Sequence, residues 1–162
     1  MHKLENHAKY DPSSGRIIWT KPLSNRVKSG DEAGKKNARG YKVFGFDGKT
    51  LYCHRAAWYL IYGYWPENDI DHINRDKSDN RIENLREATR TQNNGNVELL
   101  NSNSSGFRGV SFEKRREKYA AYIWIENKKK HLGYFWNAEL AANAYNEAAK
   151  MHFGEFARLN AL

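Results

Sequence analysis

One stretch divides this chain. Asn101-Ser102-Asn103-Ser104-Ser105-Gly106 is polar, uncharged and built from turn formers, so it reads as a linker between folded segments. The 162 residues therefore predict two small domains, 1–100 and 107–162, joined by 101–106. Each half buries less than the roughly 70% of unfolded surface that one domain of the full length would bury. Cysteine does not make up the difference. A single Cys53 excludes an internal disulfide framework and a Cys-rich structural zinc site.

Charge narrows the class of partner. Lys and Arg total 27 against 19 Asp and Glu, a net +8. Residues 1–104 hold 17 basic and 13 acidic side chains, and residues 105–162 hold 10 and 6, so each part carries +4. The basic character is not confined to one tail. Such a balance favours a polyanion, with nucleic acid ahead of membrane because no basic amphipathic helix stands out. Aromatic residues at 14% argue for a folded chain rather than a disordered basic one. No apolar stretch is long enough to span a bilayer, and no signal pattern opens the chain. The expected setting is soluble and cytoplasmic, without a membrane partner.

The first segment reads as α+β. Arg16 to Thr20 follows a turn at Asp11-Pro12-Ser13-Ser14-Gly15 and predicts a strand. Residues 22–40, with three glycines among many cations, predict a long loop. Tyr41–Phe46 and Thr50–Cys53 flank Asp47-Gly48, a strong hairpin signal. His54 to Tyr62 predicts a short helix stopped by Gly63 and Pro66. Asp69 to Ile73 alternates as a strand does, Asn74 to Arg81 is a polar loop, and Ile82 to Arg86 predicts the return strand. Thr89 to Leu100 predicts a helix, weakened by Gly95.

This order places Asp71 and His72 on one strand, Asn84 on the next and Asn93 on the helix. Neighbours on a strand face opposite ways, so Asp71 and His72 share a site only where the strand ends. A carboxylate oxygen with an Asn carbonyl oxygen suits a hard cation such as Mg²⁺ or Mn²⁺, which keeps waters and binds phosphate oxygens. A neutral imidazole beside it can deprotonate an attacking water. These are the parts of phosphodiester hydrolysis. His54 reads as a buried histidine at a helix start in preference to a group binding the scissile region. Cys53 reads as a small core residue.

The runs Asp71-His72-Ile73-Asn74, Ile82-Glu83-Asn84-Leu85-Arg86 and Gln92-Asn93-Asn94 resemble the HNH nuclease family, with its ββα-metal site, in the phage and intron-encoded branch. Cys53-His54-Arg55-Ala56-Ala57-Trp58 and Tyr64-Trp65-Pro66 resemble the segment preceding that motif in phage members. The resemblance covers about residues 10–97. It implies His72 as general base, Asp71 and Asn93 as ligands of one Mg²⁺ or Mn²⁺, and Asn84 as the Asn that braces the loop carrying the base. Asn80 competes for that bracing position; the run Asn84-Leu85-Arg86 favours Asn84.

The second segment reads as three strands, Phe107–Phe112, Tyr119–Ile125 and Lys129–Phe135, then a helix from Asn137 to His152 with Leu140, Ala144, Ala148 and Met151 at helical spacing. Phe107-Arg108-Gly109-Val110, Tyr119 to Ile123, His131 to Phe135, Glu139 to Tyr145 and Leu159-Asn160 resemble the plant ethylene-response-factor type of DNA-binding domain. In that family the sheet lies in the major groove. The resemblance implies base contacts by Arg108, Ser111, Tyr122, Trp124, Lys129 and His131. The loop cations Arg115, Arg116 and Lys118 suit phosphates. Ser111, Tyr122 and Trp124 stand where plant members favour charged groups, so the plant target sequence does not carry over.

Together these readings predict a divalent-metal-dependent, homing-endonuclease-like enzyme cutting double-stranded DNA. The alternatives are a non-catalytic DNA-binding regulator and a binder of RNA, whose unpaired bases exposed aromatics can stack on.

Overall fold

Asp47 and Gly48, both at positive φ, close a two-residue turn between β4 (Lys42–Phe46) and β5 (Lys49–Tyr52). The two strands pair antiparallel with Phe44 opposite Leu51. β3 (Lys35–Lys36) adds to β4, so the predicted loop over 22–40 contains a strand. A strand that sequence reasoning missed, β1 (Ala8–Asp11), pairs with β2 (Arg16–Trp19), Tyr10 opposite Ile17. The computed structural model describes residues 3–21, 24–96, 104–126 and 128–162. Predicted features at 22–23, 97–103 and 127, including half of the expected linker and the end of the helix expected to reach Leu100, lie outside the described residues.

By packing, the chain divides into two units, Met1–Ala88 and Thr89–Leu162, so the division falls ahead of the expected linker. In the first unit, α1 (Cys53–Tyr62) is the shared wall of two apolar clusters. Ala56 belongs to one, with Leu4, Ile17, Trp19, Phe44 and Phe46. Ala57 belongs to the other, with Trp58, Ile70 and Leu85. Both alanines are wholly buried, which lets backbone approach from two sides. Truncating the enclosed Ile17 to Ala would cost about 2–5 kcal/mol. Cys53 is buried here, and burial pushes its thiol up to about 12, so it packs as a small apolar group.

β6 (Asp69–His72) and β7 (Leu85–Ala88) form the last hairpin of this unit, in the register Asp71 opposite Arg86 and His72 opposite Leu85. The predicted return strand over 82–86 starts late: Ile82–Asn84 is a 3-10 turn, and Asn84 is its last residue.

In the second unit, α2 (Arg90–Gly95) opens on a capping box in which Thr89 Oγ1 accepts from the Gln92 amide. Gly95 helps this helix pack: an added Cβ would meet Phe153 at 2.8 Å. β8 (Val110–Glu113), β9 (Lys118–Ile125) and β10 (Lys128–Phe135) form a three-stranded antiparallel sheet in the order β10-β9-β8. β8 starts three residues later than predicted. Gly109 sits at φ +71° with its missing Cβ against Tyr145 and the Tyr122 carbonyl, a close approach that an extended chain would not make. Helix α3 (Ala138–Phe153) covers one sheet face, capped by Asn137, whose Oδ1 accepts from the Leu140 amide at 2.8 Å. The helix forms where the spacing of Leu140, Ala144, Ala148 and Met151 predicts one. Leu140 and Met151 are exposed, and Ala141, Ala142, Tyr145, Ala149 and Phe153 are buried. Alanines give the closer helix–sheet contact.

Candidate functional site

The β6–β7 hairpin is covered on both faces. Ile70 and Leu85 fill the apolar cluster under α1, and Asp71 and His72 are themselves only 5% and 4% exposed. Register sets the first polar contact. Arg86 stands across from Asp71, and its Nε and Nη2 both donate to Asp71 Oδ2, at 3.0 and 2.9 Å. β6 stops at His72, and the chain enters a polar turn with Arg75 at φ +68°.

Asn84 ties that loop at both ends. Its Oδ1 accepts from the Asn74 amide (2.9 Å), its Nδ2 donates to the Asp79 carbonyl (2.8 Å), and its own carbonyl accepts from the Ile73 amide (2.9 Å). Between these ties, Asn74 Oδ1 accepts from the Asp76 amide, and Asp76 Oδ1 accepts from the Ser78 amide and hydroxyl. Arg81 forks onto both oxygens of Asp79. That fork holds the Asp79 carboxyl down at about 2.

His72 lies against this loop. Its Nε2 is 3.1 Å from Asn80 Oδ1. The His54 ring, from the first turn of α1, meets it edge-on with centroids 5.0 Å apart, and the Tyr41 ring lies 6.0 Å away. Burial lowers His72 below the ordinary imidazole range, against the opposing pull of Asn80 and of Asp71, Asp76 and Asp79. His54 is pushed down further, to about 3, by burial and then by His72 and Arg55. Its Nδ1 is buried with no hydrogen-bond partner among the described residues. Both rings are therefore neutral near pH 7.

The structure thus brings Asp71, His72 and Asn84 onto one hairpin and its loop. Asn93 lies on α2, half-buried, and packs with the second unit. Sequence reasoning missed three interactions here: Arg86 on Asp71, Asn80 on His72, and the His54–Tyr41 ring wall. The first was available in the sequence. An antiparallel pair with His72 opposite Leu85 necessarily sets Asp71 opposite Arg86.

In the second unit, pairing sets Trp124 opposite Lys129 and Tyr122 opposite His131 on the face that α3 leaves open. Trp124 is 61% exposed, and Lys129, His131 and Ser111 are exposed beside it. Cations stack on rings across this face: Lys129 Nζ is 3.7 Å from the Tyr122 centroid, Lys118 Nζ 4.0 Å from Trp136, and the Arg116 guanidinium 4.6 Å from Tyr134. Arg115 is exposed in the β8–β9 turn. Arg108 sits at the sheet edge, its amide donating to Asn160 Oδ1 and its carbonyl accepting from Asn160 Nδ2.

Residues 51–95, from β5 through α2, match the family model described as HNH endonuclease, and the chain belongs to that family. It is similar to protein 3.8 of Escherichia phage T7, at 31% identity over 106 residues, 65% of this chain and 87% of the phage protein. An uncharacterized HNH endonuclease of Acanthamoeba polyphaga mimivirus is 34% identical over 75% of this chain and 63% of its own length. The AP2-like ethylene-responsive transcription factor TOE2 of Arabidopsis thaliana is 41% identical over 59 residues, 36% of this chain and 12% of the factor. No solved structure matches. Among the described residues, no helix is long and apolar enough to cross a membrane.

Proposed function

We propose that this protein is a divalent-metal-dependent DNA endonuclease of homing-endonuclease-like character, with His72 as general base. The observation that carries the reading is His72 itself. It is a neutral, buried imidazole at the end of β6, adjacent to Asp71 and against a loop tied at both ends by Asn84. Membership of an endonuclease family and a net +8 charge support DNA as substrate.

Asp71 and Asn93 would hold the metal. Among the described residues no group of three His, Cys, Asp or Glu converges as a metal cage. One carboxylate and one amide oxygen instead suit Mg²⁺ or Mn²⁺, which leaves coordination positions to water and phosphate. The Arg86 fork fixes the Asp71 carboxylate in orientation beforehand. When bound, the metal supplies Lewis-acid stabilisation of the phosphate and of the departing 3′-oxygen. His72 takes the proton of the attacking water.

The second unit would deliver the duplex. Tyr122, Trp124, Lys129 and His131 share one open sheet face, and a sheet with such side chains on it is the kind of element that can read base edges in a major groove. Ser111 and Arg108 flank it, and Arg115, Arg116 and Lys118 supply positive charge for phosphates. The similarity to the plant factor supports this assignment. Tethering such a module to the hairpin raises the effective concentration of DNA at the scissile step.

The low exposure of His72 is the observation that favours a non-catalytic DNA-binding regulator. Plasmid nicking in Mg²⁺ or Mn²⁺ separates the two. Nicking by the wild type that His72→Ala abolishes supports the enzyme; equal inactivity of both proteins, with DNA binding intact, supports the regulator.

A further inference from the structure

Asn80 is one of the most completely buried large side chains described, at 1% exposure. Its Oδ1 faces His72 Nε2 at 3.1 Å, and its Nδ2 is buried with no hydrogen-bond partner among the described residues. A half-satisfied buried amide is destabilising, and an apolar residue would fill the space more cheaply. Its one side-chain hydrogen bond among the described residues is to the imidazole.

The backbone around Asn80 is held from far away in sequence. The Tyr10 hydroxyl, on β1, donates to the Asn80 carbonyl at 2.8 Å across 70 residues. At Gly15, in the β1–β2 turn, φ is +69°, and an added Cβ would lie 2.5 Å from the Arg81 nitrogen and 2.6 Å from the Asn80 carbonyl carbon. Only glycine permits that approach. On the other side, the Asp79–Arg81 fork closes the loop. The β1–β2 hairpin therefore seats the Asn80–Arg81 peptide from outside the β6–β7 motif.

We propose that Asn80 is a positioning residue for His72: by accepting from Nε2–H it selects the tautomer in which Nδ1 carries the lone pair, and the β1–β2 hairpin is its buttress. The inference deepens the nuclease reading and rests on it for its consequence. An amide oxygen can only accept, so a neutral ring bonded to it through Nε2 carries its hydrogen there. The proton of the attacking water then goes to Nδ1. The His54 and Tyr41 rings limit the rotation of the imidazole about that bond.

The test begins on the full chain without metal, ¹⁵N-labelled at histidine, at a pH where the ring is neutral. The His72 resonances are assigned by comparison with His72→Gln. A pyrrole-type shift at Nε2 and an imine-type shift at Nδ1 are expected in the wild type. Asn80→Ala should mix the two tautomers, and Asn80→Asp, which keeps an acceptor oxygen, should restore the wild-type pattern. Hydrogen on Nδ1 in the wild type, or an unchanged tautomer in Asn80→Ala, overturns the proposal. Tyr10→Phe releases the peptide while leaving the amide in place, and so covers a misfolded Asn80→Ala. It should shift the tautomer ratio in the same direction by less, and an unchanged ratio counts against the buttress.

In nicking assays Asn80→Ala should lower kcat, by about 100-fold, with KM for plasmid unchanged. A rise in KM at constant kcat contradicts the role. If the wild type shows the Nε2–H tautomer and never nicks DNA, the enzyme reading falls while the positioning contact stands, so the two failures are distinguishable.

Discussion

In the first unit the side chains of the candidate site are enclosed. Asp71, His72, Asn80 and Asn84 are each no more than 6% exposed, and the groups that hold them come from β7, α1 and the β1–β2 hairpin. In the second unit the corresponding candidates lie open on a sheet, with Trp124 at 61% exposure and lysines resting on aromatic faces. The difference is the one that the two proposed tasks would require. A proton transfer depends on distances held to a fraction of an ångström, and burial with tied polar groups provides that rigidity at a cost in stability. A groove-reading face must remain accessible, and stacked cations keep their charge available while their stems cover apolar rings.

The largest effects should come from the enclosed set. His72→Ala should reduce nicking by about 10²–10⁴-fold, the usual contribution of a general base, with gel-shift affinity for duplex DNA unchanged. Parallel loss of binding would mean that the two units do not divide the labour. Asp71→Ala removes the carboxylate that Arg86 Nε and Nη2 share, inside a buried pair. It should abolish metal-dependent cutting and also lower stability by about 3–5 kcal/mol, as broken buried pairs do. Asp71→Asn keeps an oxygen acceptor and should cost much less stability while still losing activity. Urea midpoints of the two variants decide the matter, and equal midpoints would remove the ion pair from the folding account.

Acid provides a second contrast. Burial, reinforced by His72 and Arg55, holds His54 at about 3 in the fold, whereas an exposed imidazole titrates near 6.5. Between those values the unfolded chain binds the proton and the native chain does not. Stability from this group is therefore complete above about pH 6.5 and declines as pH falls toward 3, by up to about 1.4 kcal/mol per pH unit. His72, lowered by the same cause, contributes with the same sign. Urea titrations of the wild type and His54→Phe at pH 7 and pH 5 should show a smaller loss in the variant. An equal loss would place the acid sensitivity elsewhere.

Much of this was legible before any coordinates. The Asp47-Gly48 hairpin, α1 and its stop, β6, and the antiparallel three-stranded sheet followed from turn residues and periodicity. The face shared by Tyr122 and Trp124 followed from strand alternation alone, and pairing with β10 set Lys129 and His131 beside them. What failed was long-range. Nothing near residue 80 reports that Tyr10 reaches its carbonyl or that Gly15 lets the β1–β2 turn close on it. The buried face of α3 was not read from the sequence for a different reason: alanines bury as well as leucines where a helix lies close on a sheet, so side-chain size does not mark that face. Asn84 was legible as a loop brace by motif, yet its place at the end of a 3-10 turn, and not on a strand, depends on the polar ties at Asn74 and Asp79.

The open sheet should respond in smaller steps and without loss of stability. Trp124→Ala removes a ring that is mostly in solvent, so the folded state should keep its urea midpoint while duplex affinity falls, by about tenfold if the ring touches base edges (an aromatic contact contributes on the order of 1–3 kcal/mol). An unchanged affinity would assign Trp124 to packing. The cations should behave differently again. Arg115→Ala, Arg116→Ala and Lys118→Ala each delete one charge in or beside the β8–β9 turn. Where the deleted cation neutralises a phosphate, the slope of log affinity against log salt should become shallower by about 0.9, with little effect on which sequence is preferred. Arg116 and Lys118 also lie over Tyr134 and Trp136. Replacing them with a neutral residue of similar length, Arg116→Gln or Lys118→Gln, keeps much of the stem over the ring and isolates the charge. A slope that falls with Gln as much as with Ala assigns the effect to phosphate binding; a fall with Ala only assigns it to the rings beneath.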